Sequence, residues 1–94
     1  GTPYHASGTA KCSLADFPGT SSCKAFVVRR GHDGTGTVVF KTGKTVRRVL
    51  FVKGQAIAND STSSTHVTKS GDSFIVKIGD AETYTFAEAL LYGG

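Results

Sequence analysis

Turn-forming clusters divide this chain so finely that no stretch is left for an amphipathic helix of about 10–12 residues with its caps. "HDGTG", "KTGK", "KGQ", "SGD" and "GDAE" follow one another between residues 32 and 82. The segments between them are short, rich in β-branched and aromatic residues, and alternate. In "YHASGTAKC", Tyr4, Ala6, Ala10 and Cys12 share one face, while His5, Ser7, Thr9 and Lys11 share the other. "CKAFVVRRG", "TVVFK", "TVRRVLFVK", "AIA", "HVTK", "DSFIVKI" and "TYTF" continue the pattern. Phe74, Val76 and Ile78 line one face of their run, as do Tyr84 and Phe86 of the next. Twelve Gly, abundant Thr and Ser, and no Met or Trp agree with strands and tight turns. Only "FAEALLY" has helical character, and it is under two turns long. The expectation is an all-β domain of seven or eight short strands, mostly antiparallel and consecutive. It would close as a small barrel or two-layer sandwich.

The 94 residues make one domain, 1–94, with no room for a second core. A domain this small gains from a covalent staple. Cys12 and Cys23 flank "SLADFPGTSS", where Pro18-Gly19 lets the ends meet. A metal site needs more ligands than this pair, and a redox pair is spaced two residues apart. The expectation is a disulfide closing an N-terminal loop, contributing roughly 3 kcal/mol in the chain-entropy model, in an oxidising compartment. The alternative is two free buried thiols in a cytosolic protein. No apolar run approaches the ~20 residues needed to span a bilayer as a helix, and no signal peptide is visible. A start at Gly1 rather than Met is expected of a mature or trimmed form.

"FKTGKT" (40–45) contains the Gly-Lys-Thr that ends a phosphate-binding loop. The preceding glycine, Gly36, is two residues too far away, the spacer is a β run, and "VRRVLFV" follows where a helix is required. A hairpin turn with Gly43 at positive φ is the expected structure. Within that hairpin, adjacent Arg47 and Arg48 leave two arrangements open. A β-bulge would point Val46, Val49 and Phe51 inward together. Otherwise one arginine lays its stem over the core at the rim.

Catalytic constellations are sparse. His5, His32 and His66 form no H-x-H or H-x-x-x-H pair, and the carboxylates mostly occupy turns. His32-Asp33 suits a turn better than a hydrolase triad, which remains a minor alternative. Neither a cofactor nor a metal is expected. Asn59-Asp60-Ser61 fits the short N-glycosylation pattern. The formal net charge is +4. Arg29, Arg30, Lys41, Lys44, Arg47 and Arg48 are the candidate anionic-ligand patch, weighed against lysines and arginines that simply block edge pairing. An anionic glycan, a lipid or a protein would be its partner, with nucleic acid ranked below them. The terminal "LLYGG" raises a second class, a ubiquitin-like modifier or sulfur carrier using Gly94. Those folds wrap a sheet around a central helix that this pattern lacks.

Taken in order, "YHASGTAKC", "CKAFVVRRG", "VVF", "RRVLFVKGQAIAND", "SGDSFIVKIGD" and "ALLYGG" resemble a family of small exported two-cysteine proteins of Gram-negative bacteria ending in Gly-Gly. The family has no established activity. The resemblance implies export to the periplasm or cell exterior and a compact β fold, and it transfers no functional residues. The Thr/Ser-rich loop at 59–65 departs from the family pattern. The expected function is therefore that of a non-enzymatic binding domain, with an anionic envelope component or an inhibited enzyme as its partner.

Overall fold

A computed structural model describes residues 4–14, 17–31, 33–43 and 45–93, with the side chains of 17–20 excepted. The strands are β1 (Ala6–Leu14), β2 (Phe17–Arg29), β3 (Gly36–Thr42), β4 (Thr45–Val52), β5 (Gln55–Asn59), β6 (Thr65–Ser70), β7 (Ser73–Ile78) and β8 (Glu82–Ala87). One short helix, α1 (Glu88–Tyr92), follows. They form a single antiparallel sheet in the order β5-β4-β3-β2-β1-β8-β7-β6. Each strand thus lies beside its neighbours in sequence, and β8 returns to pair with β1. The result is a nearly closed up-and-down barrel. The gap in its ladder falls between β5 and β6. The sheet's two unladdered edges, on β5 and β6, face each other across that gap.

Alternation fills the interior. Ala10 and Cys12 of β1, Ala25 and Val27 of β2, Val38 and Phe40 of β3, and Val49 and Phe51 of β4 all point inward. Phe74, Val76 and Ile78 of β7 and Tyr84 and Phe86 of β8 complete the core. Small residues on β1 and β2 make room for large rings opposite. Phe40 stacks on Tyr84 at 4.3 Å, and Phe86 meets Phe51 edge-on at 5.8 Å. Eight strands enclose just enough space for side chains, so the interior is a packed core and not a channel.

Cys12 and Cys23 are bonded, with their Cα atoms 6.1 Å apart. Ala10 pairs with Cys23 and Cys12 with Ser21, so the two cysteines sit diagonally on the inward face of one hairpin. The disulfide-closed segment is therefore the end of the β1–β2 hairpin.

α1 closes one end of the barrel. Leu91 is 1 % exposed within the core cluster. Arg29, inward at the end of β2, donates from Nε to the Leu91 carbonyl (3.1 Å) and from Nη2 to the Leu90 carbonyl (3.0 Å). Gly93, at φ 80°, turns its N–H back to the Ala89 carbonyl, a left-handed helix cap.

"KTGK" is a hairpin turn. Thr42 pairs with Thr45, and Gly43 has φ 56°. The β3–β4 ladder runs through the arginine pair without a register shift. Of the two arrangements left open, the rim arginine is the one adopted. Val46 faces outward at 36 % exposure and Arg47 faces inward. The bulge in this region lies one hairpin later, opposite Leu50 and Phe51, where Ile57 is the extra residue of β5.

Candidate anionic-ligand surface

The disulfide fixes which way β2 faces. With Cys23, Ala25 and Val27 inward, the period of two sends Lys24, Phe26 and Val28 to the outer face. On β3 the same rule sends Thr37, Val39 and Lys41 outward. Lys24 lies directly opposite Lys41, and Phe26 directly opposite Val39. Thr9 of β1 extends the lysine row on one side and Val46 of β4 on the other.

Two ammonium groups facing one another across a strand pair repel. Nothing acidic is paired with them among the described residues. Lys41 instead leans over aromatic rings, with Nζ 5.0 Å from the Phe26 centroid and 5.7 Å from that of Tyr4. Those rings pack together at 4.7 Å with a 31° tilt. A groove of about 470 Å³ runs beside Thr9, Ser22, Lys24, Lys41 and Gly43. A second hollow of about 240 Å³ adjoins Tyr4, His5, Ser7 and Phe26. The outer face of β1–β2–β3 therefore carries hydroxyls, two cations and an aromatic pair in one strip.

The six basic residues singled out in the sequence are distributed differently. Lys41 and Arg48 both lie on the outer face, Arg48 paired across β3 with Val39. Arg30 is exposed in the turn after β2, and Lys44 lies outside the described residues. Arg29 is committed to the α1 carbonyls. Arg47 is committed to carboxylates at the opposite end of the barrel. Its Nε and Nη2 form a two-pronged bond to Glu82 (2.9 and 2.7 Å), and Nη1 reaches Asp60 at 2.7 Å. The Tyr84 hydroxyl donates to the same Glu82 at 2.5 Å.

Electrostatics bind this end cluster together. The hydrogen bond to Glu82, aided by Asp60, raises Arg47 further above its usual range despite burial. Burial pushes Glu82 upward, but its hydrogen bonds from Arg47 and Tyr84 outweigh that and hold its carboxyl below the usual range. Asp60 behaves likewise, with Arg47 overcoming burial. Burial, then the bond to Glu82, pushes the Tyr84 phenol upward. These groups satisfy one another and have little left for a ligand.

Lys24, Phe26 and Tyr4 do not stand out in the sequence, because Lys24 meets Lys41, and Phe26 meets Tyr4, only once the strands pair. The signal that finds Lys24 and Phe26 is an inward-facing Cys23, which sets the outward register of every second residue after it. Tyr4, which alternation groups with inward Ala6, Ala10 and Cys12, instead packs on outward Phe26, because it lies before β1 begins. Among the histidines, His5 accepts the Arg29 N–H at Nδ1 (2.8 Å), His66 is exposed on β6, and His32 lies outside the described residues. Asn59 of the glycosylation pattern is held on both sides of its amide, donating to the Ser63 carbonyl and Thr65 hydroxyl and accepting from Ser61. No group of three or more metal-ligating side chains occurs among the described residues. Compared with known proteins, the chain matches no family model, no curated protein and no solved structure.

Proposed function

We propose that this chain is a non-enzymatic binding domain, exported to the periplasm or cell exterior, whose outer β1–β2–β3 face takes an anionic glycan. The observation that carries this reading is Lys24 set opposite Lys41 beside the Tyr4–Phe26 pair. Such a like-charge pair costs stability in the free protein, and a carboxylate or sulfate between the lysines reverses that cost. The adjoining rings offer a flat apolar surface to the C–H face of a sugar, and Thr9 and Ser22 offer hydroxyls to its ring substituents. The disulfide is compatible with export. The resemblance to exported two-cysteine proteins points the same way. For the modifier alternative, the structure offers Gly93 as a helix cap, which is a structural use of that residue.

Retention on a heparin matrix tests the reading. Lys41→Glu is expected to elute at clearly lower salt than wild type. Lys77→Glu, at an exposed position of β7, makes the same charge change away from the strip and is expected to shift little. Phe26→Ala keeps the charge and is also expected to weaken retention. Equal effects of Lys41→Glu and Lys77→Glu, with none from Phe26→Ala, would reduce the interaction to net charge and remove the site.

A further inference from the structure

The gap between β5 and β6 opens into a cleft. At one end the two strands are tied by Asn59, whose amide donates to the Thr65 hydroxyl. At the other end Gln55 of β5 and Val67 and Lys69 of β6 line a cavity of about 190 Å³. Phe74, buried in the core, and Tyr92 of α1 supply its apolar base, their rings 6.2 Å apart. Gly54 lets Tyr92 in, because a Cβ there would lie 2.5 Å from the phenol oxygen. Lys53 and Lys69 stand at its exposed rim.

We propose that this cleft binds the free C-terminal end of an extended peptide whose last side chain is apolar. Three features converge on that occupant. β5 and β6 have no ladder on their facing edges among the described residues, so backbone donors and acceptors border the cleft. The base formed by Phe74, Tyr92 and Val67 suits one branched aliphatic side chain. Lys53 suits a carboxylate. Lys69 already holds one, with Nζ 2.7 Å from Glu88 Oε2, and Lys53 has no ion pair among the described residues. The Ile57 bulge irregularly spaces β5 beyond this point, which restricts an added strand to its last two or so residues.

Lys53 adds an independent mark. It is the non-glycine residue with positive φ among those described, at 52°. It fills the first central place of the Lys53-Gly54 turn between β4 and β5, where asparagine is favoured. Strain kept at the rim of a cavity is a sign of use.

The test is fluorescence polarisation with a fluorescein-labelled peptide, Gly-Ser-Gly-Thr-Val-Leu, carrying either a free carboxylate or a C-terminal amide. The acid is expected to bind saturably and roughly tenfold more tightly than the amide, the size of one lost charged contact. Lys53→Asn, which preserves the turn, is expected to weaken the acid and leave the amide unchanged. A peptide N-methylated at its penultimate residue is expected to lose binding, because strand pairing needs that N–H. If the lysines serve only to guard a strand edge, acid and amide will bind alike or neither will bind up to about 1 mM. Either result with the folded wild-type protein overturns the proposal, and so does full binding of the N-methylated peptide.

Discussion

Arg47 occupies a position that the alternation of β4 assigns to the core, and it is 17 % exposed there. It is tolerable only because Glu82 and Asp60 meet it with three hydrogen bonds. The sequence left its direction open for a physical reason. Its partners lie 35 and 13 residues away, and nothing local distinguishes it from Arg48. Replacing Arg47 by Met leaves two carboxylates facing an apolar rim, and is expected to cost about 1–3 kcal/mol near neutral pH. The sign of the pH dependence follows from the depressed carboxyls. Their contribution is complete above the unfolded values near about pH 4, and is lost as pH falls through the lower folded values. In the variant, burial of Glu82 is opposed only by Tyr84, so protonation relieves the variant. The stability gap between wild type and Arg47→Met should therefore be widest near neutrality and shrink in acid. Urea titrations at several pH values measure it, and a gap that widens in acid would show that Arg47 is not what holds these carboxyls ionised.

The element boundaries were legible where turn chemistry and alternation agreed. "SGD" gives the Ser70–Ser73 hairpin end, and the inward sets of β7 and β8, and of β1 apart from Tyr4 ahead of it, are those the period of two names. The break between β5 and β6 was not legible, because "AIA" and "HVTK" read as ordinary strands and nothing in them says that they fail to pair. Nor was the placement of the bulge at Ile57, which depends on register with β4. The Lys53-Gly54 turn shows the same limit, since "KGQ" announces a turn without saying that lysine takes the left-handed place. Lys53→Asn should relieve that strain and stabilise the protein by roughly 0.5–1 kcal/mol, raising Tm by about 2–6 °C. An unchanged or lower Tm would mean that the backbone there is not strained. The short "FAEALLY" helix is likewise more than a terminal flourish. Leu91→Ala removes a side chain that is 1 % exposed and should cost about 2–4 kcal/mol. A loss below about 1 kcal/mol by thermal or urea melts would show that α1 frays from the barrel end.

At the scale of the whole molecule, sequence reasoning reached an all-β fold of about eight strands but could not choose between barrel and sandwich. Both share one alternation pattern, and the choice is made by the pairing of β8 with β1, far apart in the chain. That pairing also determines what the disulfide can do. Cys12 and Cys23 are joined inside a hairpin already ordered from Ala6↔Val27 to Leu14↔Phe17, and β1 is held on its other side by β8. The bond therefore restrains a segment that the folded barrel restrains anyway, and its effect falls mainly on the unfolded chain. A ring with a sequence separation of 11 should contribute about 3 kcal/mol. Against a total near 5–15 kcal/mol, that is a large share, yet it leaves room for a folded state without it. Cys12→Ala/Cys23→Ala is thus expected to keep a β-rich circular dichroism spectrum at room temperature while melting roughly 10–20 °C lower. Wild type in reductant should converge on the same Tm, since the double variant and the reduced protein lack the same restraint. Coincident melts of oxidised and reduced protein would mean that the unfolded ensemble is already confined at this hairpin. Loss of the β spectrum in the variant would mean instead that the barrel cannot close on its ladders alone, so that β1 needs the bond to hold β2 and β8 in register.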